Sequence, residues 1–166
     1  MDTRVQFDRI VCDVPCSSDA AIRKIPQKWD KWTPSDGASL HPLQAKILFR
    51  GLQLLRVGGK ISYSTCSLNP LEDEAVVASA LKTFEGKIEL ERVELPGFRF
   101  REGLTEWKVL VEGKREGEGY FEEIQSIEQA TSDQIKRGVK ETMFASYYNE
   151  NIRSQLKRCL RVFPHD

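Results

Sequence analysis

The stretch that decides the fold is Phe7-Asp-Arg-Ile-Val-Cys-Asp-Val-Pro-Cys16. Its apolar part, Ile10-Val-Cys12, is short, continuous and followed directly by a polar loop, which is typical of a buried parallel strand. Pro15 has no amide hydrogen, so the hydrogen-bond ladder of a sheet cannot continue past it. The stretch therefore predicts a strand whose carboxyl end leads into a loop that carries Cys16.

A helix and a second strand follow. Apolar residues recur at steps of three and four over 40–55, which predicts one buried helical stripe, and Gly58-Gly59 is predicted to end the helix. The next segment, Lys60-Ile-Ser-Tyr-Ser-Thr-Cys66, is rich in β-branched and aromatic residues, which favours a strand. The order predicts two parallel strands joined by a helix.

The same alternation continues further along the chain. Asn69 and Pro70 predict the N-cap and first turn of a second helix. Residues 88–95 and 107–111 are predicted strands, so we expect an α/β fold on a parallel sheet with right-handed crossovers. Residues 112–130 are polar and rich in glycine and charge, which predicts a flexible surface loop or disordered insertion.

Length and composition restrict the class of protein. The chain has 166 residues, of which 40% are hydrophobic and 30% charged, values that are ordinary for one globular domain. No apolar run approaches the roughly 18 residues of a membrane span, and the first residues show no signal-peptide core. Four cysteines in such a chain favour free thiols in a reducing compartment. We therefore expect neither a secreted, membrane-spanning or fibrous protein nor a disulfide scaffold.

The formal net charge is zero, but the charges are segregated along the chain. Residues 14–60 contain eight basic and three acidic residues, whereas 71–130 contain eight basic and fifteen acidic ones. A polyanion responds to a local positive patch rather than to the sum. Composition alone leaves two interpretations open for the basic part, a surface that binds a polyanion and a solvated helix face.

Two cysteines stand at the carboxyl ends of the predicted strands. Cys16 follows the first strand, and Cys66 ends the second, just before a helix N-terminus that favours a thiolate. Ligands of open α/β sheets bind at this edge, so the two thiols can converge on one crevice. Cys12 and Cys159 have apolar neighbours, and we interpret them as small buried hydrophobic residues.

Histidine and metal chemistry do not fit the sequence. A cysteine protease needs a histidine base, but His41 precedes a proline at a helix start and His165 is penultimate, so we expect both at the surface. Neither a Cys-x-x-Cys pair nor a histidine pair completes a zinc site. The sequence therefore predicts no metal.

Taken together, Asp13-Val-Pro-Cys16 and Thr65-Cys66 resemble the two cysteine motifs of the Sun family of RNA cytosine-C5 methyltransferases, most closely the eukaryotic branch that methylates tRNA at several sites. The resemblance continues through further stretches, which are Trp29-Asp-Lys-Trp32, Leu40-His-Pro-Leu-Gln44, Gly58-Gly-Lys-Ile-Ser-Tyr-Ser64, Asn69-Pro-Leu-Glu-Asp-Glu74 and Arg158-Cys-Leu-Arg-Val-Phe-Pro-His165. It implies a fold, namely the C-terminal portion of a Rossmann-like, S-adenosylmethionine-dependent methyltransferase with the first half of the sheet missing. Residues 1–166 would then be part of one catalytic domain.

The resemblance also implies a role for each site residue. Cys66 would be the nucleophile that attacks C6 of cytosine, and Cys16 would assist removal of the C5 proton and release of the product. Asp13 would hydrogen-bond the cytosine edge and lie close to S-adenosylmethionine.

RNA would be the partner of the basic segment. Arg23, Lys24 and Lys28 would face RNA phosphates, and the target base would be unstacked to reach both thiols. Trp29 and Trp32 can stack on bases, but packing is the more common role of tryptophan, and we interpret both as packing residues. The resemblance further implies a location in the nucleus or nucleolus, with the cytoplasm as the alternative. A catalytically silent module that binds RNA or docks a partner through the same fold is the alternative.

The chain departs from the family in two respects. Only about six residues precede the first strand, and the glycine loop and acidic residues that hold the cofactor are absent. We therefore expect an excised part of a domain, inactive without its N-terminal half and able to self-associate through an exposed sheet edge. The family also commonly has glycine at the positions of Ser18 and Ala20 and threonine at that of Ala21, so we expect a reshaped Cys16 loop.

Overall fold

A computed structural model describes residues 5–113 and 120–163. The helices and strands of these residues are β1 (Phe7–Asp13), α1 (Pro34–Leu54), β2 (Leu55–Ser64), α2 (Glu74–Thr83), β3 (Arg101–Glu102), β4 (Val109–Glu112), β5 (Phe121–Ile124), α3 (Ser132–Lys136), α4 (Glu150–Gln155) and β6 (Leu160–Arg161). Short 3₁₀ turns fill several of the connections. The architecture is mixed α/β.

The predicted strand–helix–strand unit is confirmed. β1 and β2 pair in parallel, with Cys12 opposite Tyr63 and Asp13 opposite Ser64. Beyond the strands, the backbone N–H of Val14 donates to the carbonyl of Ser64 at 3.1 Å. Both strands therefore end at one edge of the sheet, and the loops that follow them are neighbours.

The boundaries of α1 differ from the prediction. The helix begins at Pro34, where the Asp36 carboxylate accepts a hydrogen bond from the Thr33 backbone N–H at 3.1 Å. It ends at Leu54, and β2 continues through both glycines, Gly58 and Gly59. These glycines lie where the register of β1 and β2 shifts, and Gly58 has a φ of 76°. The glycine pair therefore lies in an irregular part of β2, and the prediction that it ends the helix is wrong.

One face of the β1–β2 sheet is covered by α1 and the other is exposed. A Cβ added at Gly51 of α1 would lie 3.2 Å from Cys12 Sγ, so the helix approaches the covered face closely. Val11 points to the opposite face and is 79% exposed. The second face of the β1–β2 pair is therefore open to solvent at this position.

α2 begins later than predicted, and 70–73 form the preceding turn. Asn69 caps this turn, since its Oδ1 accepts from the backbone N–H of Leu71 at 3.1 Å. Val76 of α2 is buried and belongs to the same cluster as Leu48 of α1. The predicted N-cap at Asn69 is therefore wrong for the helix itself: Asn69 caps only the preceding turn, and the N-cap of α2 is Asp73.

The predicted third parallel strand does not form in the described part of the chain. Residues 88–95 carry no strand there, and β4 pairs in antiparallel fashion with β5. β3 and β6 form another antiparallel pair. The sheets of the described residues are thus three separate pairs, and a Rossmann-like sheet order stays a prediction.

Part of the segment predicted as a flexible loop, 112–130, is a strand instead. β5 lies within it, and Ile124 is buried in a cluster with Val109 and Phe144. Glutamates at two of the four positions of β5 hide the strand pattern, because a hairpin strand needs apolar side chains on one face only. Residues 114–119 lie outside the described residues.

Candidate functional site

Cys16 and Cys66 meet at the carboxyl edge of the β1–β2 sheet. Their Sγ atoms are 3.1 Å apart, and the Cys66 backbone N–H donates to Cys16 Sγ at 3.3 Å. Cys66 is exposed and Cys16 is half-buried. The structure brings the two cysteines together because parallel neighbouring strands deliver their following loops to one place.

The environment of Cys16 favours its protonated form. Burial raises the pKa of the Cys16 thiol above its ordinary value, and the hydrogen bond with the Cys66 side chain raises it further. Smaller opposing contributions come from Ser18 and from the Cys66 backbone N–H. Cys16 is therefore a thiol at neutral pH. Its S–H can donate to the sulfur of Cys66, where it would stabilise a thiolate.

Ser18 lies against both sulfurs in a strained backbone conformation. Its φ is 62°, the left-handed region, and it is the one residue other than glycine with positive φ in the described ranges. Its Oγ lies 3.3 Å from Cys66 Sγ and 3.7 Å from Cys16 Sγ. The positive φ of Ser18 falls at one of the positions where the resemblance implies glycine, whereas Ala20 and Ala21 lie in a 3₁₀ turn.

Asp13 lies at the end of β1, next to the Cys16 loop. Its Oδ1 accepts a hydrogen bond from Ser64 Oγ at 3.1 Å, across the strand pair. The other carboxylate oxygen makes no hydrogen bond to the residues that the structure describes, and the side chain is exposed. Asp13 can therefore accept a hydrogen bond from a ligand at this edge.

Sequence reasoning missed Glu72, which lies between the two cysteine loops. The side chain is 0% exposed. It accepts hydrogen bonds from the Ser17 backbone N–H and Oγ, Ser67 Oγ and Gln44 Nε2, at distances of 2.8, 2.5, 2.8 and 2.9 Å. A signal was present in the sequence, because a serine follows each cysteine and an acidic residue lies in the turn after Cys66.

Ser17 also anchors the basic segment that sequence analysis assigned to RNA. Lys28 Nζ donates to the Ser17 carbonyl at 3.0 Å. Trp32 Nε1 donates to Ser17 Oγ at 3.2 Å, and the indole is half-buried, which agrees with a packing role. The segment is therefore attached directly beside Cys16.

The other residues of this segment point to solvent. Arg23 and Lys24 are exposed, as a phosphate-facing role requires. Trp29 is 76% exposed, so its interpretation as a packing residue is wrong. The 3₁₀ turn Pro26–Lys28 directs Lys28 to the Cys16 loop and leaves the next residue outside the core.

His41 is buried, which contradicts its expected place at the surface. Nδ1 lies 2.7 Å from the Leu71 carbonyl and Nε2 lies 2.8 Å from Thr142 Oγ1. Burial lowers the pKa of the imidazole, so His41 is neutral at physiological pH. The early start of α1 at Pro34 explains the difference, because it moves His41 from the first turn to the packed middle of the helix.

Within 5–113 and 120–163, His, Cys, Asp and Glu side chains form no group of three that could hold a metal ion. No helix of the same residues has the length and apolar character needed to cross a membrane. His165 lies outside the described residues.

Comparison with known proteins places this site in a family. The family model described as "16S rRNA methyltransferase RsmB/F" matches residues 1–125. The chain belongs to this family. The resemblance to RNA cytosine-C5 methyltransferases of the Sun family, drawn from the two cysteine motifs, is thereby confirmed.

Three relatives of this RsmB/F-family chain are named as tRNA methyltransferases. It is 44% identical to the multisite-specific tRNA:(cytosine-C(5))-methyltransferase trm4b of Schizosaccharomyces pombe and 39% identical to the multisite-specific tRNA:(cytosine-C(5))-methyltransferase of Saccharomyces cerevisiae. It is 38% identical to the tRNA (cytosine(34)-C(5))-methyltransferase of Drosophila melanogaster. Each match covers 97% of this chain, which spans about a fifth of the length of these curated relatives.

Proposed function

We propose that this chain supplies the two catalytic thiols of an enzyme that methylates C5 of cytosine in tRNA and uses S-adenosylmethionine. The observation that carries the proposal is the contact between Cys16 Sγ and Cys66 Sγ at 3.1 Å. The exposed carboxylate of Asp13 at the same edge supports it. The names of the relatives support tRNA as the substrate.

The proposed chemistry needs one thiol to activate the base and another group to release it. The thiolate of Cys66 adds to C6, which forms an S–C6 bond and moves the electron pair of the C5=C6 double bond to C5. S-adenosylmethionine, when bound, supplies the methyl group that C5 takes. A base then removes the C5 proton, the C–H electron pair restores the C5=C6 double bond, and the S–C6 bond breaks to return Cys66 as a thiolate.

Cys16 is the proposed base of the release step. Its sulfur is in contact with the nucleophile, so it can reach a ring that Cys66 holds. Before it acts as the base, the Cys16 thiol passes its own proton to water, and its raised pKa then makes the thiolate a stronger base. The same shift keeps Cys16 protonated before attack, when its S–H can donate to Cys66.

Asp13 is proposed to contact both the base and the cofactor. The carboxylate oxygen that Ser64 does not use can accept a hydrogen bond from the N4 amino group of cytosine. The described residues fit S-adenosylmethionine only through this carboxylate, and we propose that the rest of the cofactor site comes from outside this sequence. We expect residues 1–166 alone to show neither tight cofactor binding by calorimetry nor RNA methylation.

The basic segment is proposed to hold the RNA backbone while the target base is unstacked. Arg23 and Lys24 are exposed, and Lys28 ties their segment to Ser17, the residue after Cys16. Phosphates held by this segment would therefore lie near the thiols. An unstacked base is needed because two sulfurs cannot reach the ring inside a helix.

RNA that contains 5-azacytidine tests the proposed function in the full-length gene product. Nitrogen replaces C5–H in this base, so the release step fails and the S–C6 bond persists. We expect a complex that survives denaturing electrophoresis, that Cys66→Ala abolishes and that the control variant Cys12→Ala retains. Binding of the RNA without any such complex would contradict the proposal and favour a non-catalytic RNA-binding module.

A further inference from the structure

The carboxylate of Glu72 joins the loop after β1 to the loop after β2. On the Cys16 side it accepts from the backbone N–H and the Oγ of Ser17, at 2.8 and 2.5 Å. On the Cys66 side it accepts from Ser67 Oγ at 2.8 Å. Each serine directly follows its cysteine, so one side chain is bonded to the neighbour of either thiol-bearing residue.

Glu72 is itself held from two further directions. Gln44 of α1 uses Nε2 to donate both to the Glu72 carboxylate at 2.9 Å and to the Pro15 carbonyl at 3.0 Å. Tyr63 of β2 donates its hydroxyl to the Glu72 carbonyl at 2.5 Å. The helix beneath the sheet therefore holds the Glu72 carboxylate, and the strand before Cys66 holds the Glu72 backbone.

A fully buried carboxylate is costly unless donors compensate for its lost hydration. Glu72 is 0% exposed, and four donors point at its two oxygens. The packing of a core does not require a charge at this position, since an apolar side chain of similar size would fill the space. What the carboxylate adds is a shared acceptor for two loops that have no regular secondary structure.

We infer that Glu72 is a positioning residue that holds the Cys16 and Cys66 sulfurs in contact. The inference rests on the proposed function, in which both sulfurs act on one base. Without the carboxylate, the Ser17 N–H and the two serine hydroxyls lose a buried acceptor, and the loops rearrange toward water to satisfy them. A displacement of about 1 Å at the reacting atoms is enough to cost about 100-fold in rate.

Two substitutions separate the effect of the hydrogen bonds to the Glu72 carboxylate from the effect of the volume of the side chain. Glu72→Ala removes the acceptor. Glu72→Gln conserves the shape, because its carbonyl oxygen can accept from the Ser17 N–H and Gln44 while its amide donates to the hydroxyls of Ser17 and Ser67. The conservative variant therefore keeps the loops joined without the charge.

Gln134→Ala is the matched control. Gln134 is also a buried polar side chain, and it accepts from the Thr131 backbone N–H at 2.8 Å and donates to the Glu112 carbonyl at 2.8 Å. None of its hydrogen bonds within the described residues involves a cysteine loop. It reports the effect of losing buried hydrogen bonds elsewhere in the fold.

Dibromobimane reports whether the two thiols lie close enough to be bridged, because it becomes strongly fluorescent only after it has bridged two sulfurs. The reagent is applied to the full-length protein without RNA or cofactor, and Cys16→Ser and Cys66→Ser assign the signal. We expect rapid bridging in the wild type, Glu72→Gln and Gln134→Ala, and bridging slowed at least about tenfold in Glu72→Ala. With tRNA as substrate, kcat of Glu72→Ala should fall about 100-fold while KM changes far less.

Bridging of folded Glu72→Ala at the wild-type rate would overturn the inference. If circular dichroism shows that this variant does not fold, Ser67→Ala replaces it. Ser67→Ala removes the hydrogen bond from the Cys66 loop to Glu72 and keeps the hydrogen bonds from the Cys16 loop. Slower bridging in Ser67→Ala supports the inference, and an unchanged rate overturns it. A wild-type protein that bridges in a Glu72-dependent way but never methylates RNA supports the positioning role and contradicts the proposed function.

Discussion

Arg161→Met should destabilise the protein strongly, because it breaks a buried ion pair beside the Cys66 loop. Arg161 and Glu74 are both buried, and Nη1 of the arginine lies 2.7 Å from each carboxylate oxygen. Nη2 donates to the Leu68 carbonyl, two residues after Cys66. The carboxylate also accepts from the Leu104 backbone N–H at 2.9 Å. The guanidinium therefore joins β6 to α2 and to the site.

The expected magnitude follows from what remains after the substitution. Glu74 would stay buried with the Leu104 N–H as its remaining strong donor, and removing one partner of a buried pair costs about 3–5 kcal/mol. This is a large share of the roughly 5–15 kcal/mol by which domains are stable. Replacing both partners by methionine removes the stranded charge, so the double variant should regain at least about 2 kcal/mol over Arg161→Met.

Urea denaturation followed by tryptophan fluorescence measures these differences in the full-length protein. Arg153→Met is the control, because Arg153 pairs with Glu106 and Glu150, whose side chains are 69% and 80% exposed. Loss of such surface pairs should cost less than about 1 kcal/mol. The reasoning is refuted if Arg161→Met costs no more than Arg153→Met, or if the losses of the two single substitutions simply add in the double variant.

Alkylation should be far slower at Cys159 than at Cys66, because burial raises the pKa of the Cys159 thiol to about 12 and lowers its thiolate fraction about 1,000-fold. Equal modification of both cysteines, mapped by mass spectrometry, would contradict this prediction. Ser18→Gly should be more stable than Ser18→Ala by about 1 kcal/mol, because both variants lack the hydroxyl and only glycine adopts a φ of 62° without strain. Equal melting temperatures of the two variants would show that no strain is present. Burial raises the pKa of Asp73 to about 8, so the folded protein retains a proton that the unfolded chain loses above about pH 4. Stability should therefore fall between about pH 4 and 8 more steeply in the wild type than in Asp73→Asn, and parallel stability curves would contradict the assignment.

The local signals of the sequence were sufficient for the part of the fold that builds the site. Pro15 ends β1, and the helical period over 40–55 separates it from β2, so a parallel pair with both cysteines at one edge follows from neighbouring residues alone. The start of α1 was misplaced because Ser35, Asp36 and Gly37 carry no apolar stripe. This error moved His41 to the surface, whereas in the structure it is buried.

Elements that depend on distant partners were not predictable in the same way. β5 has one face on the core and the other in water, and its glutamates resemble a loop until β4 is placed beside it. Glu72 was missed because two of the three residues that donate to its carboxylate, Ser17 and Gln44, are distant from it in the chain. The contact of Cys16 with Cys66 was predictable from strand order, whereas the only sequence signals for the side chain that joins their loops were the serine after each cysteine and the acidic residue in the turn after Cys66.

The most direct test of the two-thiol account uses Cys16→Ala in the full-length protein with ordinary RNA and S-adenosylmethionine. Without Cys16 to assist release, methylated RNA should remain bound to Cys66 as a complex that survives denaturing electrophoresis. The wild type and the Cys16→Ala/Cys66→Ala double variant should form no such complex. Normal turnover by Cys16→Ala, or attachment of the RNA to a residue other than Cys66, would contradict the proposal that Cys66 is the nucleophile and Cys16 assists release.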